Sequence, residues 1–90
     1  MNTNILNARK FIKWFCKYQQ NSSVKTIDGN INAICNGDGG IIIKFYVDKD
    51  SADVATVTKY VCGNNKISSE VEIGKDYNQF VQRVVRAIFK

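Results

Sequence analysis

Apolar and polar positions alternate with two different periods along the chain, and the change of period marks the elements. In residues 4–20 the apolar positions recur every three or four residues, which predicts an amphipathic helix. At about 100° per residue, one broad side of this helix holds the apolar set: Ile5, Ala8, Phe11, Ile12, Phe15, Cys16 and Tyr18. An apolar side of this width needs a sheet or another helix to cover it.

The middle of the chain changes to a period of two, which is typical of β-strands. The alternation predicts strands over 23–27, 30–35, 41–47, 54–62 and 67–73. Asp28-Gly29 is a strong hairpin signal between the first two, because both turn positions need a positive φ. For the fourth segment the competing prediction is a helix that opens at Ser51.

A second helix is predicted over 77–89, with Asp76 as its N-cap. Its apolar stripe consists of Tyr77, Phe80, Val81, Val84 and Ile88. The predicted order is α-β-β-β-β-β-α, in one α+β domain spanning 1–90. Short connections favour an antiparallel meander sheet with the N- and C-terminal helices packed on one face.

The net charge of +5 is concentrated at the two ends of the chain. Both predicted helices lack acids, whereas the segment between them is slightly acidic. The candidate binding residues are therefore the helix cations, with Trp14 at the border of the first set: Arg9, Lys10, Lys13, Lys17, Arg83, Arg86 and Lys90. If the two helices lie side by side, we expect these faces to point outward from one layer and to attract polyanions. An ordinary solvated face is the alternative interpretation of each set.

The cysteines and the N-terminal segment bear on location. Cys16, Cys35 and Cys62 are an odd number without a CxxC spacing, which favours reduced, half-buried structural thiols. Basic residues interrupt the N-terminal apolar positions, so no signal peptide is expected, and no apolar run is long enough to span a membrane. We therefore expect a cytoplasmic protein, in the host cytoplasm if the gene belongs to a phage.

The composition argues against catalysis. The chain has no His, the most common general acid–base and metal ligand. None of the three cysteines has an evident base beside it. No cofactor or metal motif is present either, so we expect a protein that is not an enzyme and that acts by stoichiometric binding.

Nucleic-acid binding is the leading functional hypothesis. Ile, Asn and Lys, which have A/T-rich codons, make up 31 of 90 residues, a bias that suggests a phage or mobile-element accessory protein. Such a protein would bind RNA or DNA, or a host nucleic-acid-handling protein, through the helix cations. Tyr46 and Tyr60 beside Lys44 are a second candidate surface, where bases could stack on the open sheet face. Glu70 and Glu72 on that face count against it.

Two other classes of protein remain. One is a stoichiometric inhibitor that blocks a host nuclease, toxin or defence enzyme, using the outward sheet face or an edge strand. The other is a membrane-surface anchor, which would use the first helix. The predicted sheet needs the apolar side of that helix, so we expect no membrane partner.

Overall fold

The computed structural model describes residues 3–17, 22–36, 41–61 and 65–89. They form an N-terminal helix α1 (Thr3–Lys17), five strands and a C-terminal helix α2 (Tyr77–Ile88). The strands are β1 (Ser23–Ile27), β2 (Asn30–Asn36), β3 (Ile42–Val47), β4 (Val54–Val61) and β5 (Asn65–Glu72). All neighbouring pairs are antiparallel, in the order β1-β2-β3-β4-β5. The α+β meander expected from the sequence is confirmed.

Both helices cover the same face of the sheet. Helix α1 packs over β1, β2 and β3, while α2 packs over β4 and β5 and contacts α1. The inward residues of the strands are the alternate apolar positions, for example Ile31, Ala33 and Cys35 on β2. The ring of Phe11 is central to the core, because it lies 5.6 Å from the Phe80 ring and 6.1 Å from the Phe45 ring in edge-on contacts. One aromatic side chain thus joins α1, α2 and the sheet.

The two helices run roughly parallel. The side-chain amide of Asn7 donates to the carbonyl oxygens of Gly74 and Lys75, just before α2 begins. One turn later Lys10 meets Tyr77, and Phe11 meets Phe80. A five-stranded meander dictates this direction, because β5 runs parallel to β1 and each helix reverses direction relative to the adjoining strand.

Local chemistry explains the element boundaries. Asp28 and Gly29 have φ values of 53° and 84°, as the predicted hairpin turn requires. The Asp76 carboxylate accepts from the Gln79 N–H at 3.1 Å, which confirms it as the N-cap of α2. Residues 54–61 form a strand, so the competing helix opening at Ser51 is wrong. Strand β5 begins at Asn65, two residues earlier than the alternation predicts, because Lys66 and Asn65 pair with Tyr60 and Val61.

The cysteines correct one expectation. Cys16 and Cys35 form a disulfide, with a Cα–Cα distance of 6.0 Å that is usual for such a bond, so the prediction that they are reduced thiols is wrong for this pair. The last turn of α1 lies over the end of β2, and a chain separation of 19 residues conceals this proximity in the sequence. The cysteines therefore no longer support a cytoplasmic location, since disulfides are rare there. Cys62 and residues 18–20 of the predicted first helix lie outside the described residues.

Candidate nucleic-acid interface

The basic face of α1 is a continuous row of exposed cations. Lys10, Lys13 and Lys17 follow one another at three- and four-residue spacing and are all exposed. Arg9 is half-buried and lies about 100° around the helix from Lys10, on the side away from α2. Helix α1 contains no acid, so no carboxylate from the helix itself offsets these charges. We call Lys10, Lys13 and Lys17 the lysine row.

Trp14 lies beside the lysine row, where α1 meets α2. Its side chain is 54% exposed, and with Tyr77, Asn78 and Val81 it lines a groove of about 230 Å³. The Lys10 ammonium is 4.4 Å from the centroid of the Tyr77 ring, a cation–π contact that holds it above the start of this groove. An aromatic surface and a cation are thus side by side at the helix–helix junction.

The α2 cations lie on the other side of that helix. Arg83 Nη1 donates to the carbonyl oxygen of Glu72 and Arg83 Nη2 to Gln79 Oε1, both at 3.3 Å, so this side chain is held against the edge of β5. Arg86 is exposed and lines a groove of about 320 Å³ with Arg83, Glu70 and Glu72. Acids thus accompany both arginines. Lys90 lies outside the described residues.

An exposed apolar row separates the two sets of cations. Val85 is 42% exposed and Phe89 77% exposed. Both follow Val81 at four-residue spacing on the outward side of α2, and Val81 lies beside Trp14 of α1. This row lies outside the apolar stripe predicted for α2, because that stripe contains the positions that face the core. The helical layer therefore presents two basic sets: the carboxylates of Glu70 and Glu72 line the groove of the α2 set, whereas α1 itself contains no acid.

The acids of the described residues gather at one end of the molecule. This end is formed by the β1–β2 turn, the β3–β4 loop and the end of β5 with the start of α2, which the antiparallel meander brings together. The seven acids there are Asp28, Asp48, Asp50, Asp53, Glu70, Glu72 and Asp76. Helix α1 starts near this end and runs away from it, so Lys13 and Lys17 lie progressively farther from the acids. The charges of the described residues are therefore distributed as a dipole, and the lysine row extends away from its acidic end.

The open face of the sheet carries the second predicted set. Lys44 and Tyr46 on β3 and Tyr60 on β4 share this face, as the alternation predicts. The ammonium groups of Lys44 and Lys66 lie 5.1 Å and 6.0 Å from the centroid of the Tyr60 ring. Lys66 lies between the predicted strands 54–62 and 67–73, so its position on this face does not follow from the predicted strand bounds.

Lys59 is on the opposite face from these residues. It alternates inward with Val57, and its Nζ donates to the carbonyl oxygen of Ile88 at 2.8 Å. Lys59 is therefore no neighbour of Glu70 and Glu72, because those acids are on the open face. The sequence does contain a signal for this position: Lys59 falls on the side of β4 where the alternation with Ala55 and Val57 predicts an apolar residue.

Reactive groups are few in the described part of the chain. The bond between Cys16 and Cys35 leaves neither sulfur as a thiolate nucleophile. Within residues 3–17, 22–36, 41–61 and 65–89, no three His, Cys, Asp or Glu side chains converge on a common metal-binding point. In the same residues no helix has the length and apolar character needed to cross a membrane.

Comparison with known proteins adds no relative: no family model, curated protein or solved structure matches the chain.

Proposed function

We propose that this chain is a non-catalytic binding protein that holds the phosphate backbone of RNA or DNA on the lysine row of α1. The observation that carries the proposal is the exposure of Lys10, Lys13 and Lys17 on an acid-free helix, with the described acids gathered at the end of the molecule where α1 begins. A phosphate backbone is a regular line of negative charge, so a row of lysines can neutralise several phosphates at once.

Trp14 and Tyr77 extend the row with aromatic surface. Lysine ammonium groups contact phosphate oxygens through charge alone and are compatible with many geometries. The Trp14 indole beside them can pack on a sugar or an exposed base. Arg83 and Arg86 contribute less in this account than their charge suggests, because the carboxylates of Glu70 and Glu72 line the same groove.

The composition suggests that the protein is an accessory factor of a phage or mobile element. Binding of this kind would modulate a host system that handles nucleic acid. The abundance of Ile, Asn and Lys, whose codons are A/T-rich, supports the origin, and the basic face of α1 supports the type of ligand.

Charge reversal of the lysine row tests the proposal. Lys13→Glu with Lys17→Glu should weaken binding of a short RNA or DNA duplex by roughly tenfold or more, because two attractive contacts become repulsive. Duplexes are the appropriate probe because they expose phosphates and bury the faces of their bases.

A matched control separates the row from net charge. Lys49→Glu with Lys75→Glu makes the same change in total charge at exposed positions near the acids. We expect this control to retain most of the duplex affinity. Equal losses in the two double variants would show that only net charge matters and would refute a site on α1.

A stoichiometric inhibitor of a host nuclease, toxin or defence enzyme is the second candidate, and the exposed apolar row on α2 favours it. Trp14, Val85 and Phe89 are large side chains whose exposure is typical of a protein–protein contact. In that case Val85→Ser with Phe89→Ser would abolish inhibition of the target enzyme, whereas the charge reversal on α1 would not. The opposite pattern would exclude this candidate.

A further inference from the structure

The open sheet face has a concave centre. Thr58 is on this face and yet only 9% exposed, because longer side chains on the neighbouring positions rise around it. Its hydroxyl is 3.0 Å from that of Ser68, so the floor of the depression is fixed by a hydrogen bond. The depression has a volume of about 260 Å³, and its outward-facing lining comprises Asn32, Ile34, Lys44, Tyr46, Thr56 and Thr58.

The lining combines flat apolar surface with groups that donate and accept hydrogen bonds. Tyr46 supplies apolar surface two residues along β3 from Lys44, and Ile34 supplies it directly across from Lys44 on β2. Asn32 lies directly across from Tyr46 in the strand register, and its carboxamide both donates and accepts. The Tyr46 hydroxyl lies 3.5 Å from Asp48 Oδ2, which orients the ring at the border of the depression. This mixture suits a planar heterocycle with polar edges.

The charges of the open face define a path across it. Lys25 on β1, Lys44 on β3 and Lys66 on β5 form a diagonal in the strand register. With strands about 4.8 Å apart and alternate residues about 6.8 Å apart, successive lysines on the diagonal are about 12 Å apart at Cα. Glu70 and Glu72 lie on one side of this diagonal, near the acidic end. A phosphate backbone can therefore follow the lysines without crossing the acids.

Tyr60 adds an aromatic ring to this path. Because the ammonium groups of Lys44 and Lys66 both converge on its ring, a base stacked there would have two cations in reach of its attached phosphate. Aromatic rings accept bases of any identity, since every base has a π-face.

We infer that the open face binds single-stranded nucleic acid, with one base in the depression beside Tyr46 and another stacked at Tyr60. This deepens the proposed function, because it assigns unpaired strands to the sheet while α1 contacts phosphates of either form. The two sites are on opposite faces of the molecule, so each can be removed without altering the other.

The experiment measures the affinity of two variants for each of two probes. The single-stranded probe is a labelled oligouridylate of about twelve nucleotides, and the second probe is an RNA duplex of the same length. Loss of the base stacked at Tyr60 alone corresponds to roughly 5- to 150-fold in affinity. Tyr46→Ala with Tyr60→Ala should therefore weaken binding of the single-stranded probe by at least that much and should leave binding of the duplex unchanged. Lys13→Glu with Lys17→Glu should weaken binding of the duplex and should retain the part of single-strand binding that depends on the two tyrosines.

Two further arms complete the design. Tyr46→Phe with Tyr60→Phe keeps the rings and should restore binding of the oligouridylate, which excludes a simple folding defect in the alanine variant. Free uridine monophosphate should bind far more weakly than the oligouridylate, because it lacks the connected phosphates that follow the lysine diagonal.

Either of two results would overturn the inference. One is single-strand binding that is the same with and without the two tyrosines. The other is free nucleotide that binds as tightly as the oligonucleotide. If the duplex fails to bind while the oligouridylate binds through the tyrosines, the α1 proposal is wrong and the sheet site remains.

Discussion

The Nζ of Lys59 donates a hydrogen bond to the carbonyl oxygen of Ile88 at 2.8 Å, so a strand lysine caps the last turn of α2. The C-terminal carbonyls of a helix lack internal partners and carry partial negative charge, which a cation stabilises. This contact ties the end of α2 to β4.

We therefore expect Lys59→Met to reduce the free energy of unfolding by about 1 kcal/mol, since methionine keeps the apolar stem and removes the charge and the donor. Urea unfolding measures the change, and Lys44→Met on the exposed face is the control that should have little effect. If the two variants unfold alike, the cap contributes nothing to stability.

The disulfide between Cys16 and Cys35 predicts a difference between oxidised and reduced protein. Closing a loop with 19 residues of separation stabilises by about 3 kcal/mol, mainly through the entropy of the unfolded chain. A Cys62→Ser background isolates the pair. In it, reduction should expose two thiols to a thiol reagent and lower the midpoint of urea unfolding.

The control for reduction is Cys16→Ser with Cys35→Ser in the same background. Its midpoint of urea unfolding should equal that of the reduced protein and should not change when reductant is added. Protein purified without reductant that already contains two titratable thiols would contradict the disulfide. That result would also restore the cysteine argument for a cytoplasmic location.

Gly29 occupies the left-handed region of the β1–β2 hairpin, with φ at 84°. Gly29→Ala should cost about 1–2 kcal/mol of stability, because an L side chain is strained at this φ. The added Cβ would also meet the side chain of Lys49, but the end of a lysine can move aside. Asp28→Asn is the matched control, since asparagine tolerates the φ of 53° at that position. Equal thermal midpoints for Gly29→Ala and the unmodified protein would contradict this account of the turn.

The sequence predicts most of the fold because its signals are local. Alternation identifies the inward residues of β3, and Asp28-Gly29 and Asp76 mark a turn and a helix start. The disulfide could not be predicted this way, since it depends on where α1 crosses β2.

The same distinction applies to the candidate site. A helical projection places Lys10, Lys13 and Lys17 together without any knowledge of the fold. It cannot place Arg83, whose surroundings depend on which edge of the sheet α2 covers. The depression on the open face is also a tertiary feature, because it arises from residues of three strands, and of its lining only Tyr46 and Lys44 were evident from the sequence.

The central claim is that α1 binds phosphates, and the salt dependence of duplex binding tests it most directly. Trp14 is the only tryptophan and lies beside the lysine row, so its fluorescence reports binding at the site. Three or four α1 cations predict a slope of log affinity against log salt of about −2 to −4, compared with about −6 if all seven helix cations took part.

The measurement is a titration with duplex RNA at salt concentrations from about 50 to 200 mM, repeated with the Lys13→Glu, Lys17→Glu variant. The account predicts this slope for the unmodified protein and a clearly shallower one for the variant. Absence of binding at low salt, or the same slope in both proteins, would contradict it.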